Sequence, residues 1–199
     1  MSDDVERQQE VFGFLADPAT HGGHQVKRID THAASVFLAG DRALKVKRAV
    51  RFPFLDYSTL AKRKQACDAE IAVNTPYAPE IYRGVVAITR EPSGKLALAG
   101  SGEPAEWAVD MLRFDEKQTL DHVAGAIDEK LAEALGRTVA AAHAKTSTAP
   151  PVDPERWIGA IGDYTDEHAK AFAQHPEIFP AAANDELTRA SRAAYQRIL

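Results

Sequence analysis

Between Gln25 and Arg48 the apolar residues leave helical spacing and alternate in three short runs separated by turn residues. That pattern confines the stretch to an antiparallel sheet. The runs are Val26 to His32, Ser35 to Ala39 and Arg42 to Lys47, and Gly40-Asp41 supplies a tight hairpin between the second and third. Side chains alternate along a strand, so Ala43, Lys45 and Lys47 share one side of the third run. Residues 4–16 place Val5, Val11, Phe12 and Leu15 near helical spacing, and Asp17-Pro18 ends that helix.

Downstream, Ser58 reads as an N-cap for a helix from Thr59 to Thr75, with Leu60, Cys67, Ile71 and Asn74 at three- and four-residue steps. Pro76 and Pro79 stop it. Two further strands follow, Tyr82 to Thr89 and Trp107 to Phe114, and turns bracket a short apolar run, Leu96 to Leu98, between them. After Asp115 the pattern is helical: Gln118 to Gly125, Asp128 to Lys145, Pro154 to His175 and Asn184 to Leu199, with a break over Thr146 to Pro151. The expected architecture is α+β: a five-stranded antiparallel sheet with one packed helix, then helices only. The expected divisions are an N-terminal helix and loop over 1–24, a sheet lobe over 25–114 and a helical region over 115–199.

Composition removes several function classes. With 24 Lys plus Arg against 29 Asp plus Glu, the net charge of −5 gives no general reason to expect nucleic acid or an anionic membrane as partner. A single cysteine, Cys67, excludes an internal disulfide framework and any cysteine-cluster metal site, and reads as a small buried hydrophobe. No apolar stretch approaches the roughly 20 residues of a membrane helix. The acidic start argues against a signal peptide, so the expected location is cytoplasmic. Lys62-Arg63-Lys64 reads as the charged outer face of its helix.

The chemistry centres on Lys45 and Glu70. A lysine on a buried strand needs a carboxylate to hold its rotamer and offset desolvation, and Glu70 lies near the middle of the next helix. Ala43, two residues before Lys45, leaves room for a flat purine beneath the sheet. A kinase small lobe uses such a lysine–glutamate pair to grip ATP phosphates. Lys47 points the same way and rivals Lys45.

The segments Thr31 to Arg48, Phe54 to Leu60, Cys67 to Asn74 and Ala78 to Val86 resemble, in order and spacing, a bacterial aminoglycoside-phosphotransferase-like family. Members often carry a second, P-loop ATPase domain after the kinase-like part. The likeness runs from about Val26 to about His143. It implies a protein-kinase-like small lobe followed by part of a helical large lobe. It makes Lys45 the phosphate-gripping lysine and Glu70 its partner, and places the segment from Met111 through Leu112 and Arg113 to Phe114 in a hinge whose backbone holds adenine. ATP with Mg²⁺ is the implied cofactor, a small-molecule hydroxyl the implied acceptor, and γ-phosphoryl transfer the implied reaction.

Two departures stand out. The turn Thr31-His32-Ala33-Ala34-Ser35 lacks glycine, so phosphate contacts there would fall to the Ser35 or Thr31 hydroxyls. None of the seven histidines has Asp two residues on. The acid/base loop and metal-binding carboxylates of such kinases are therefore expected outside these residues, and the chain is expected to be a truncated form, inactive alone. A nucleotide-sensing pseudokinase module is the alternative expectation.

Overall fold

The structure, a computed structural model, describes residues 2–123, 125, 127–145 and 153–197. In chain order the elements are α1 (Ser2–Ala16), β1 (Val26–Asp30), β2 (Ala34–Ala39), β3 (Arg42–Lys47), β4 (Arg51–Phe52), β5 (Leu55–Asp56) and α2 (Leu60–Asn74). Then come β6 (Tyr82–Arg90), β7 (Leu96–Leu98), β8 (Glu103–Leu112), α3 (Glu129–Lys145), α4 (Pro154–Ala173) and α5 (Ala181–Tyr195). Two compact units are present, Met1–Thr138 and Val139–Leu199. The α+β class expected from sequence is what the first unit shows.

Its sheet has six antiparallel strands in the order β1-β2-β3-β8-β6-β7, where five were expected. The sixth is the short run Leu96–Leu98, which folds back on β6 with Ile88 opposite Leu98 and Arg90 opposite Leu96. The Pro92-Ser93-Gly94 turn makes that return possible, with Gly94 at φ +81°. Residues 51–56, between β3 and α2, form the two-stranded β4–β5 hairpin. The N-cap of α2 is Thr59 and not Ser58: Thr59 accepts from the Lys62 amide, while the Ser58 hydroxyl is committed to Asp56. The helix expected over 118–125 is a 3₁₀ turn at Glu116–Gln118 among the described residues. The break expected over 146–151 lies outside them.

The β2–β3 turn has the predicted two residues, with Gly40 at φ +56°, a conformation an L side chain adopts only with strain. Antiparallel pairing through β1, β2, β3, β8 and β6, with two register shifts between β8 and β6, then sorts side chains onto two faces. Phe37, Leu44, Val46, Ile88 and Ala108 lie on one face and form the core with Val11, Phe12 and Leu15 of α1. The Phe12 and Phe37 rings lie 5.8 Å apart. Each of the larger of these side chains, the Val, Leu, Ile and Phe groups, contributes about 1.5–3 kcal/mol on burial, so α1 is part of the sheet unit's core.

The opposite face is covered by α2, whose inward stripe is Arg63, Cys67, Glu70 and Asn74, a polar stripe where an apolar one is usual. Cys67 is fully buried as expected, and burial pushes its thiol to about 11. Arg63 is not on a charged outer face. It is buried and donates from Nε to both oxygens of Glu106, at 3.0 and 2.8 Å, and from Nη1 to the Tyr57 carbonyl. Gln8 of α1 completes this network. Its Nε2 donates to Glu106 and to the Lys47 carbonyl, both at 2.8 Å, and its Oε1 accepts from the Ala49 amide at 2.8 Å. The last β3–β8 pair is Val46 with Ala108, so the Gln8 amide takes over the backbone groups of Lys47, at the end of β3, and of Ala49 just after it, where the strands part.

In the second unit α4 and α5 form a helical hairpin. Arg192 bonds Asp166 at 2.7 Å, and Gly162 leaves room for the Tyr195 ring. Among the described residues no helix is long and apolar enough to cross a membrane.

Candidate functional site

Cross-strand pairing on the α2 face of the sheet assembles one crevice. Ile29 lies opposite Val36, Val36 opposite Lys45, Leu38 opposite Ala43, and Met111 opposite both Ala43 and Tyr82. Directly paired residues point to the same face, so all of these side chains converge. A register shift between Tyr82 and Gly84, with Gly84 at φ +141°, bulges β6 and sets Tyr82 beside Met111. The resulting crevice has a volume of about 330 Å³, with apolar walls and the Lys45–Glu70 pair among its lining residues.

Six of the seven residues expected at a site, Lys45, Glu70, Ala43, Met111, Leu112 and Arg113, line this crevice together. Ser35 does not. It pairs with Val46, which puts it on the α1 face, fully buried with its hydroxyl donating to Asp30 at 2.7 Å. Thr31 is likewise spoken for: its hydroxyl accepts from the Ala34 amide at 3.0 Å within its own turn. At the end of β8 the Leu112 amide donates to the Ile81 carbonyl at 2.8 Å, and just beyond it the Arg113 amide donates to the Asp41 carbonyl at 2.7 Å. The Phe114 amide makes no hydrogen bond within the described residues, and Phe114 lines the crevice.

Glu70 reaches both candidate lysines. Lys45 Nζ donates to its Oε1 at 3.0 Å and Lys47 Nζ to its Oε2. Burial pushes the Glu70 carboxyl up, but the bonds from Lys47 and Lys45 outweigh it and hold the group below its ordinary 4.5. Tyr82 faces it from β6, and burial beside the Glu70 charge raises the phenol. Because the folded-state carboxyl is the stronger acid, its contribution to stability is complete above 4.5 and is lost as pH falls through the depressed folded value. Urea unfolding of the wild type should therefore lose stability below about pH 4.5, and Glu70→Gln should flatten that part of the profile.

Sequence reasoning did not single out Ile29, Val36, Leu38 or Tyr82 as site residues, whereas Phe114 closes the expected hinge segment and lines the crevice. The signal for Val36 and Leu38 was present, since they occupy the alternate positions of β2 that pair with Lys45 and Ala43. Tyr82 depends on the bulge, which the sequence marks only by Gly84. His21 Nε2 lies 2.8 Å from the Leu15 carbonyl, and the His24 ring packs at Gly40. Among the described residues no group of three or more His, Cys, Asp or Glu is placed to hold a metal ion.

Fold and site together define an antiparallel α+β lobe with a mostly apolar crevice carrying a lysine–glutamate pair. Similar proteins are known. An uncharacterized protein of Mycobacterium tuberculosis is 31% identical over 150 residues, covering 74% of this chain and 28% of the relative. An uncharacterized protein of Mycobacterium bovis matches to the same extent. The chain thus spans well under a third of the length of the curated relatives it matches. No family model matches the chain, and no solved structure matches it significantly.

Proposed function

We propose that the crevice binds ATP, as the small lobe of a protein-kinase-like phosphotransferase resembling the aminoglycoside-phosphotransferase type. The observation that carries this reading is the placement of Lys45 Nζ, 3.0 Å from Glu70 Oε1, in an apolar slot lined by Ala43, Val36 and Met111. A slot of this composition suits a purine: flat apolar surfaces for its faces, and a backbone donor at Phe114 for its edge. The ammonium of Lys45 suits the α- and β-phosphates, where a cation offsets charge without taking part in bond making.

The reaction is γ-phosphoryl transfer to a hydroxyl of a small molecule. Its rate would come mostly from positioning and charge neutralisation. Mg²⁺ accompanies ATP in such transfers, and among the described residues no group of three or more His, Cys, Asp or Glu is placed to hold it. The relatives extend well beyond the matched part, which leaves room for an acid/base loop, for metal ligands and for the second, P-loop domain that the resemblance implies.

Calorimetric titration of the wild-type chain with Mg²⁺-ATP tests the reading. Saturable heat at one site supports it, and no heat at millimolar nucleotide contradicts it. Ala43→Leu provides an independent check. The added side chain would fill the space assigned to the purine and lower affinity about 10- to 100-fold, the equivalent of about 1.4–2.8 kcal/mol. Its thermal midpoint should stay near that of the wild type, because the leucine enters an open crevice and not the core.

A further inference from the structure

We propose that Lys47 is the standing counter-ion of Glu70, and that this frees Lys45 to leave the carboxylate for the phosphates of a bound nucleotide. The inference rests on the ATP reading above and divides labour between two lysines that are equivalent in sequence. They project from the same side of β3 but engage different oxygens of Glu70, Oε1 for Lys45 and Oε2 for Lys47. Their surroundings differ. The Lys45 side chain is 31% exposed and lines the crevice, whereas that of Lys47 is 9% exposed and does not. Lys47 is also held from behind, with its ammonium 5.7 Å from the centre of the Tyr57 ring. Its backbone is pinned by the Gln8 bond to its carbonyl.

The energetic logic follows from the position of Glu70, whose side chain is 11% exposed. A carboxylate this far from water is strongly disfavoured without a partner. If Lys45 were its only counter-ion, every move of Lys45 toward a phosphate would strand a charge. With Lys47 fixed on the second oxygen, Lys45 can rotate away while Glu70 keeps one ammonium. Lys47 is thus a positioning residue that acts through Glu70, and Lys45 is the group that meets the ligand.

The test uses the wild-type chain and amine acylation read by mass spectrometry, with and without Mg²⁺-ATP. Lys45 should acylate at least about 10-fold faster than Lys47, in keeping with its exposure, and nucleotide should protect Lys45 alone. Protection of Lys47 equal to or greater than that of Lys45 overturns the inference while leaving ATP binding intact. Protection of neither lysine shows that the nucleotide reading has failed and takes the inference with it.

Binding measurements give a second arm. Lys47→Met should weaken Mg²⁺-ATP about 10-fold and Lys47→Arg should restore most of that, since either cation can hold Oε2. In a Glu70→Gln background the same Lys47→Met change should cost less than about 2-fold, because no stranded carboxylate remains to hold Lys45 back. Equal losses in both backgrounds would mean that Lys47 merely supports the fold, and would overturn the assignment.

Discussion

Replacing Arg63 with alanine is expected to remove about 3–5 kcal/mol of unfolding free energy, the largest effect of any single substitution in the sheet unit. Arg63 and Glu106 have side chains 2% and 1% exposed, and the pair is completed by Gln8, by the Tyr57 carbonyl and by the Trp107 amide. Deleting the guanidinium strands the Glu106 charge among groups that cannot replace it. A domain of this kind has about 5–15 kcal/mol in total, so the variant would sit near its unfolding threshold at ambient temperature. The exposed Lys64–Asp68 pair on the same helix makes a control: Lys64→Ala should change stability by no more than about 1 kcal/mol. Replacing both partners, Arg63→Met with Glu106→Leu, should recover much of the loss, since the penalty lies in the unpaired charge. Urea denaturation at neutral pH measures all four proteins.

Lys45→Met is expected to produce the largest functional effect. An ammonium placed on a phosphate contributes a charge-assisted hydrogen bond of about 1.5–3 kcal/mol, so affinity for Mg²⁺-ATP should fall about 10- to 100-fold. Folding should be little affected. The Lys45 side chain is part-exposed, and Glu70 retains Lys47 when Lys45 is gone. Loss of binding without loss of stability would separate this lysine from Arg63, whose removal acts on the fold. Comparable affinity in Lys45→Met and wild type would remove the phosphate role from Lys45.

The crevice was legible in the sequence because it depends on strand alternation. Once Arg42–Lys47 is a strand, Ala43 and Lys45 must share a face, and Glu70 follows from its place on the next helix. Met111 to Phe114 came from the family resemblance instead, and alternation played no part in placing them. Ser35 is where that reasoning stopped short. Its position near the β1–β2 turn suggested a phosphate contact, yet the two-residue Gly40-Asp41 turn sets Ser35 opposite Val46 and so on the other face, a register the hairpin already implied.

The Arg63–Glu106–Gln8 network was hidden for a different reason. Charged residues in a helix read as solvated, and only their shared phase with buried neighbours argues otherwise. Arg63 falls in step with Cys67 and Glu70, and Gln8 with Val11, Phe12 and Leu15, so the spacing was there to be noticed. What the spacing could not supply was Glu106, 43 residues away on β8, without which a buried arginine is implausible. The sixth strand was passed over because a three-residue run is too short to show alternation, and only its pairing with β6 makes it a strand.

Amide chemical-shift mapping of the wild-type chain during titration with Mg²⁺-ATP tests the central claim most directly. The account predicts shifts concentrated at Leu38, Ala43, Lys45, Met111 and Phe114, with the α1-facing residues Phe37 and Leu44 far less affected. Shifts confined to α4 and α5, or no shifts at saturating nucleotide, would contradict it.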